Sequence, residues 1–370
     1  MTFEESVEKA FSKYNLMNLT LRNRFIRSAT FEGMASLDGS PLPELKQLYA
    51  DLASGGVGLI STSACLADQT WLPQRRGFLS MHSDDSLSVW EDMVQAVHRA
   101  GALISLQLAP FFFFDAKQVG PYSDNPDVHQ LSADEIERIV NLYAAAALRA
   151  QKVGMDAVQI HGGHGYPLSQ FLSPYFNRRE DEYGGSHFNR ARIFIEIRHA
   201  VAEMAGKEFP VWIKMNSLDG VPGGITTEDA EIFGGILSNE GYGAIEVTGG
   251  SPNGTHDSRG PVNEDEWFEG YYLEQASRVR TRSNDPVVAV GGIRKLEMID
   301  AILSQDTSDL ISMSRPFIRE PDLINRWASG DYGPSLCISC NGCFKLIQKG
   351  KQLACIHTKT KDEDTAEAGS

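Results

Sequence analysis

The sequence predicts an α/β protein built as a (β/α)8 barrel. Three observations carry that expectation. Eight short β-branched or apolar runs alternate with longer segments of helical periodicity. Several of the runs are apolar without interruption, as strands buried on both faces of a parallel sheet are. Finally, Arg27, Gln107, His161 and Lys214 fall near the carboxyl ends of different strands or just beyond them. In a closed barrel these residues converge on one mouth. In an open doubly wound sheet, which shares the alternation, they would be spread along an edge. The barrel is assigned to residues 1–335, and a cysteine-rich segment with a polar tail to residues 336–370.

Taken in order, the strands are read at residues 25–30, 57–62, 103–108, 157–161, 211–215, 244–248, 287–290 and 310–313. Helices are expected near 43–54, 86–100, 187–204, 227–239, 268–281, 294–304 and 320–328. The clearest helix follows the third strand. Ser132 and Glu135 form an S-x-x-E capping box. Ile136, Ile139, Val140, Tyr143, Ala144, Ala147 and Leu148 then recur at helical spacing, and Gly154 offers a stop. Two connections are long, 109–130 after the third strand and 249–267 after the sixth. Connections of that length are usually functional or disordered. The first holds Phe111–Phe114, which reads as an apolar lid, a subunit contact or buried core. The tail from Thr358 to Ser370 is polar and reads as disordered.

Composition narrows the function. The 370 residues are 42% hydrophobic and 22% charged, and 34 basic residues against 49 acidic ones give a net charge of −15. An acidic chain disfavours a nucleic-acid partner, because phosphate backbones are bound by basic surfaces. There is no long apolar run to cross a membrane. The opening MTFEESVEKAFSKYN is acidic and polar, unlike a secretory signal. Four of the five cysteines, Cys337, Cys340, Cys343 and Cys355, crowd together near the C-terminus. Without an export signal that clustering suggests a metal or thiols, and a cytoplasmic protein. A small molecule is the expected partner, and a homo-oligomer stays open.

Two constellations carry chemistry. His161-Gly-Gly-His164-Gly-Tyr166 follows the fourth strand directly. Its glycines let the chain turn sharply, so two imidazoles and a phenol face one pocket. Those groups can donate hydrogen bonds to a carbonyl oxygen, and the phenol can release a proton. H-x-x-H also supplies two zinc ligands, but no third ligand stands at a recognisable spacing. The second constellation is Gly291-Gly292 after the seventh strand and Ser314-Arg315 after the eighth. Loops at those places in barrels often bind phosphate, which suits exposed N–H groups and a guanidinium. The same residues also read as turn glycines and a surface arginine. No G-x-G-x-x-G follows a strand and no Walker A loop occurs, so a Rossmann domain and a P-loop have no support.

The stretch HGGHGYPLSQFLSPYFNRREDEYGGSHFNRARIFIEI, residues 161–197, closely resembles the old yellow enzyme family of FMN-dependent oxidoreductases. LRNRFIRSATFEGMA, GGVGLIST, SLQLA, VGGI and SRPFIREPDL resemble further blocks of the family in the same order. The resemblance reaches to about residue 345. It implies FMN held non-covalently at the C-terminal mouth of the barrel. It also implies hydride transfer from NAD(P)H to flavin and then to an electron-poor alkene. Position by position, Ser28, Ala29 and Thr30 would lie against the flavin ring, and Gln107 would bond its pyrimidine edge. Lys214 stands where the family usually has an arginine near flavin N1 and O2. Gly292, Ser314 and Arg315, with Gly291 beside them, match the phosphate grip. His161 and His164 match the pair that binds a carbonyl or nitro oxygen, and Tyr166 the proton donor to the alkene carbon. A dehydrogenase or demethylase of the same family, or a flavin- or metal-binding sensor without turnover, are the competing readings.

Besides Lys214, the chain departs from the family in three places. Ala109-Pro110-Phe111 replaces a common histidine and glycine-arginine pair. Phe31 stands where many members have a threonine or cysteine that tunes the flavin. Cys337-x2-Cys340-x2-Cys343-x11-Cys355 resembles the [4Fe–4S] segment of the 2,4-dienoyl-CoA reductase branch, but that branch has three residues between its second and third cysteines. Iron–sulfur, zinc and reduced thiols all remain open on spacing alone.

Overall fold

The computed structural model describes residues 3–73, 76–109, 113–114, 117–252 and 254–358. Eight parallel strands close into a barrel in sequence order: β1 (Phe25–Arg27), β2 (Leu59–Leu66), β3 (Leu103–Leu108), β4 (Ala157–Gly162), β5 (Val211–Asn216), β6 (Ile245–Thr248), β7 (Val287–Val290) and β8 (Leu310–Met313). β8 pairs with β1, and β1 with β2, which closes the ring and excludes the open sheet. Apolar residues dominate the strands because both faces are covered.

The crossover helices lie on the outside. They are α1 (Pro43–Ser54), α2 (Leu87–Arg99), α3 (Ala133–Lys152), α4 (His187–Ala205), α5 (Thr227–Asn239), α6 (Leu273–Arg280), α7 (Leu296–Ser304) and α8 (Leu323–Ala328). The expected capping box starts α3: Ser132 Oγ accepts from the Glu135 N–H, and a Glu135 carboxylate oxygen accepts from the Ser132 N–H. Gly154, at φ +84°, follows its end. α6 begins five residues later than the periodicity suggests, because Gly270-Tyr271-Tyr272 runs as a turn along the site.

Two differences from the sequence reading bear on function. β1 ends at Arg27 rather than residue 30, so Ser28, Ala29 and Thr30 leave the sheet and line the mouth. Arg27 itself turns away from the mouth. It donates to Ser61 O at 2.9 Å and pairs with buried Glu32. The other end of the barrel is stoppered by a hairpin that periodicity did not reveal, Tyr14–Leu16 with Leu19–Leu21. Leu16 and Leu21 pack on Ile26, Leu59, Trp212 and Leu310 from the strand bases.

The long connections are structured where they are described. Phe113–Phe114, Lys117–Gly120 and Val128–Gln130 form a small sheet beside the mouth. Pro110, Phe111 and Phe112 lie outside the described residues, as does the tail beyond Thr358. His256–Asp257 and Gly260–Pro261 pair in the loop after β6. Among the described residues no helix is long and apolar enough to cross a membrane.

Candidate functional site

At the C-terminal mouth of the barrel a cavity of about 860 Å³ opens. Strand register explains why its polar groups meet. Gln107 lies opposite Gln159, His161 opposite Lys214, and Lys214 opposite Glu246. Residues two apart on a strand share a face, so this set points into one barrel interior.

Beyond β4 the chain turns through Gly163, His164 and Gly165. His164 adopts φ +66°, a conformation that few side-chain-bearing residues take. Its N–H is held by Asn216 Oδ1 at 3.0 Å, and its ring Nε2 lies 2.9 Å from Thr248 Oγ1. The turn brings three rings together edge to face. Centroids stand 4.9 Å apart for His161 and His164, 5.6 Å for His161 and Tyr166, and 6.3 Å for His164 and Tyr166. A Cβ at Gly165 would fall 2.6 Å from Pro252 and 2.8 Å from the Ser251 side chain. That crowding and its φ of +72° require glycine there.

Burial, reinforced by Lys214, pushes the His161 imidazole pKa down to about 3. Burial also lowers His164 well below the ordinary histidine value, with His161 and Lys214 adding to it. Both rings are therefore neutral hydrogen-bonding groups at neutral pH. Burial, with Asp257 nearby, raises the Tyr166 phenol, which stays protonated. A neutral donor pair beside a protonated phenol can hold a carbonyl oxygen and deliver a proton.

The rest of the cavity offers two kinds of donor. At the barrel axis, Lys214 Nζ bonds Ser28 Oγ at 2.9 Å and Glu246 at 3.1 Å. Gln107 lines the wall beside it. Towards the rim, Thr30 Oγ1 and Ser314 Oγ lie 2.6 Å apart. Arg315 is braced by Asn341 Oδ1 at 2.8 Å and by the Tyr271 hydroxyl at 3.1 Å. Gly291 and Gly292, at φ +119° and +69°, press against the Tyr271 ring. One end thus suits a planar heterocycle with hydrogen-bonding edges, and the other a phosphate. That donor set fits FMN. All twelve residues expected for the flavin and substrate sets line this one cavity.

 Of the four clustered cysteines, only Cys343 reaches its wall.

Several contributors were not foreseen. Thr248, Asn216, Tyr271 and Glu246 hold the residues that face the cavity. Phe31 packs on Phe78 with ring centroids 4.7 Å apart, and both line it. The cysteine-rich segment forms one side of the mouth through Phe344, Ile347 and Leu353. It is tied down by Leu353 N–H to Glu32 O at 2.9 Å and by Arg259, whose guanidinium lies 4.7 Å from the Phe344 ring centroid.

The metal readings of that segment gain no support. Cys337, Cys340, Cys343 and Cys355 border one small void, and Cys340 Sγ lies 3.4 Å from His357 Nε2. Among the described residues, however, no three His, Cys, Asp or Glu side chains are grouped to hold a metal ion. The cysteines are free thiols. Burial raises the Cys337 and Cys343 thiols.

Comparison with known proteins agrees with the geometry. The model of the NADH:flavin oxidoreductase / NADH oxidase family matches residues 9–332. An NADH oxidase of Thermoanaerobacter brockii is 30% identical over 353 residues, which are 90% of this chain and 53% of that protein. The chain therefore spans about half the length of that relative. An NADPH dehydrogenase of Clostridium acetobutylicum is 29% identical, covering 85% of this chain and 92% of the relative. Among solved structures, the old yellow enzyme homologue from Zymomonas mobilis superposes with a TM-score of 0.74 at 25% identity, over 90% of this chain and 96% of that one. Morphinone reductase in complex with tetrahydroNAD gives 0.70 at 28% identity, over 87% and 91%.

Proposed function

The chain belongs to the NADH:flavin oxidoreductase / NADH oxidase family, and on that premise we propose that it is an FMN-dependent ene-reductase acting on a small electron-poor alkene. The observation that carries this reading is the meeting of His161, His164 and Tyr166 at one end of a cavity whose other groups suit a flavin and its phosphate. Bound flavin would supply the hydride, taken from NAD(P)H.

The residues then have separate tasks. Gln107 and Lys214 would hold the pyrimidine edge, and Ser28, Ala29 and Thr30 would lie along the ring. Ser314, Arg315 and the Gly291-Gly292 backbone would hold a single terminal phosphate. His161 and His164 would bind the carbonyl or nitro oxygen of the alkene. As hydride reaches the β-carbon, negative charge gathers on that oxygen, where two preorganised donors are most effective. Tyr166 would protonate the α-carbon. The protonated phenol favours reduction over the dehydrogenase and demethylase readings, and the retained donor set argues against a sensor without turnover.

The test is direct. Cofactor released by acid should co-migrate with FMN, and the holoenzyme should consume an enone together with NADH or NADPH. FAD in place of FMN, or no flavin after reconstitution, would sink the cofactor reading. A flavin reduced by NAD(P)H but not reoxidised by any enone or nitroalkene would sink the substrate reading.

A further inference from the structure

Glu246 is fully buried in β6, a strand otherwise of Ile, Val and Thr. A carboxylate in such a place is costly unless paired and hydrogen-bonded. Its two oxygens have divided partners. Oε1 accepts from Ser28 Oγ at 2.8 Å and from Lys214 Nζ at 3.1 Å. Oε2 accepts from Gln159 Nε2 at 2.7 Å. Gln159 Oε1 in turn accepts from Gln107 Nε2 at 2.7 Å. Gln107, Lys214 and Ser28 form the wall of the cavity, while Glu246 and Gln159 stand behind it.

The donor and acceptor types fix this chain in one direction. An ionised carboxylate can only accept. Gln159 must therefore turn its NH2 to Glu246 and its carbonyl to Gln107. Gln107 must give one N–H to Gln159, which leaves its carbonyl and second N–H for the cavity in a set order. The same carboxylate lies against the one lysine of the wall's axial end. A cation facing a bound ring favours the form of that ring with more negative charge, and a carboxylate directly behind the cation opposes it.

We infer that Glu246 is a positioning residue with two effects: it lowers the reduction potential of the bound flavin by moderating the charge of Lys214, and it strengthens flavin binding by fixing which way round the Gln107 amide meets the pyrimidine edge. This rests on the proposed FMN reading. A lower potential makes the reduced cofactor a stronger hydride donor to the alkene.

The experiment is an equilibrium redox titration of the holoenzyme against a reference dye, with FMN affinity measured alongside. In Glu246→Gln the preference for reduced over oxidised FMN should rise about tenfold, which is about 30 mV for a two-electron couple. The rise should be absent when the same change is made in a Lys214→Met background. Glu246→Asp, which keeps the charge, should stay nearer the native potential than Glu246→Gln. Should Glu246→Gln fail to fold, Gln159→Leu and Lys214→Met carry the test. Gln159→Leu should weaken FMN binding about tenfold with little change in potential, and Lys214→Met should move the potential negative. An unmoved or lowered potential in Glu246→Gln, or an equal rise without Lys214, overturns the role of Glu246. Native FMN affinity in Gln159→Leu overturns the relay, and an unmoved or raised potential in Lys214→Met overturns the charge argument. A protein that takes up no FMN overturns the cofactor reading instead.

Discussion

The backbone N–H of Gly163 donates to Nδ1 of His161 at 3.3 Å. Nδ1 is thereby an acceptor, and in a neutral imidazole the proton then sits on Nε2. His161 is thus set as a hydrogen-bond donor by the turn that follows it. The glycine of the H-G-G-H sequence has two duties: it frees the chain to turn, and its amide chooses the tautomer of the preceding ring.

Removing either ring should slow the step in which the alkene is reduced. Each donor lost from a developing oxyanion costs roughly 2.7–4 kcal/mol at most. His161→Ala and His164→Ala should therefore weaken phenol binding and slow reoxidation of the flavin by an enone. Reduction by NAD(P)H should suffer less. Stopped-flow traces of the two half-reactions separate these effects. Native enone rates in both variants would mean that the pocket has been assigned wrongly.

The buried neutral histidines should also make the protein sensitive to acid. His161 titrates near 3 when folded, against about 6.5 when unfolded. Between those values the unfolded chain binds the extra proton, so stability falls as pH is lowered from about 6.5 towards 3. At pH 5 the loss from this one group is about 2 kcal/mol, from 1.36 kcal/mol per pH unit over the interval below 6.5. His164 is shifted in the same direction and adds to it. Chemical denaturation at pH 7 and pH 5 should show the decrease, and His161→Asn should reduce it. Equal stability at both pH values in the native protein would contradict the burial argument.

Arg315 is braced from two sides, by Asn341 and Tyr271. If it grips a phosphate, Arg315→Met should weaken FMN binding by about 1.5–3 kcal/mol, the usual value of a hydrogen bond to a charged group. That is roughly a 10- to 100-fold change in Kd. Riboflavin, which has no phosphate, should bind the variant and the native protein alike. Fluorescence titration of apoprotein with each ligand measures both. Equal weakening for the two ligands would show that the arginine supports the fold of the mouth rather than the phosphate.

Much of this architecture was legible because it follows from local pattern. The capping box of Ser132 and Glu135 and the apolar stripe behind it fix α3. The polar residues at strand ends found their common mouth once eight strands closed. What escaped was set by distant pairing. Arg27 looks like a mouth residue until Glu32 draws it into a buried ion pair. The hairpin at Met17 has strands of three residues each, too short for a period to show. Glu246 did leave a signal, a lone charge inside an apolar strand, but its partners lie 32, 87 and 218 residues away. The cysteine spacing could not reveal that its segment would wall the cavity, because that depends on contacts with Glu32 and Arg259.

Tyr166 carries the most specific prediction. Its phenol is half-buried and raised above an ordinary tyrosine, chiefly by desolvation. It is therefore protonated at neutral pH and available as an acid. Its ring stands edge-on to that of His161, with 5.6 Å between centroids, and both rings line the same cavity. Hydride delivery and protonation can then come from different groups. Tyr166→Phe keeps the ring and its packing but removes the proton. Reduction of a simple enone should fall by roughly 10²-fold or more, in the usual range for a lost general acid. A nitroalkene should suffer less, because its nitronate is stable enough to leave the site and take a proton from water. Turnover of one enone and one nitroalkene by both proteins decides the matter. Equal losses on the two substrates, or none on either, would make Tyr166 a packing residue and put the proton source elsewhere.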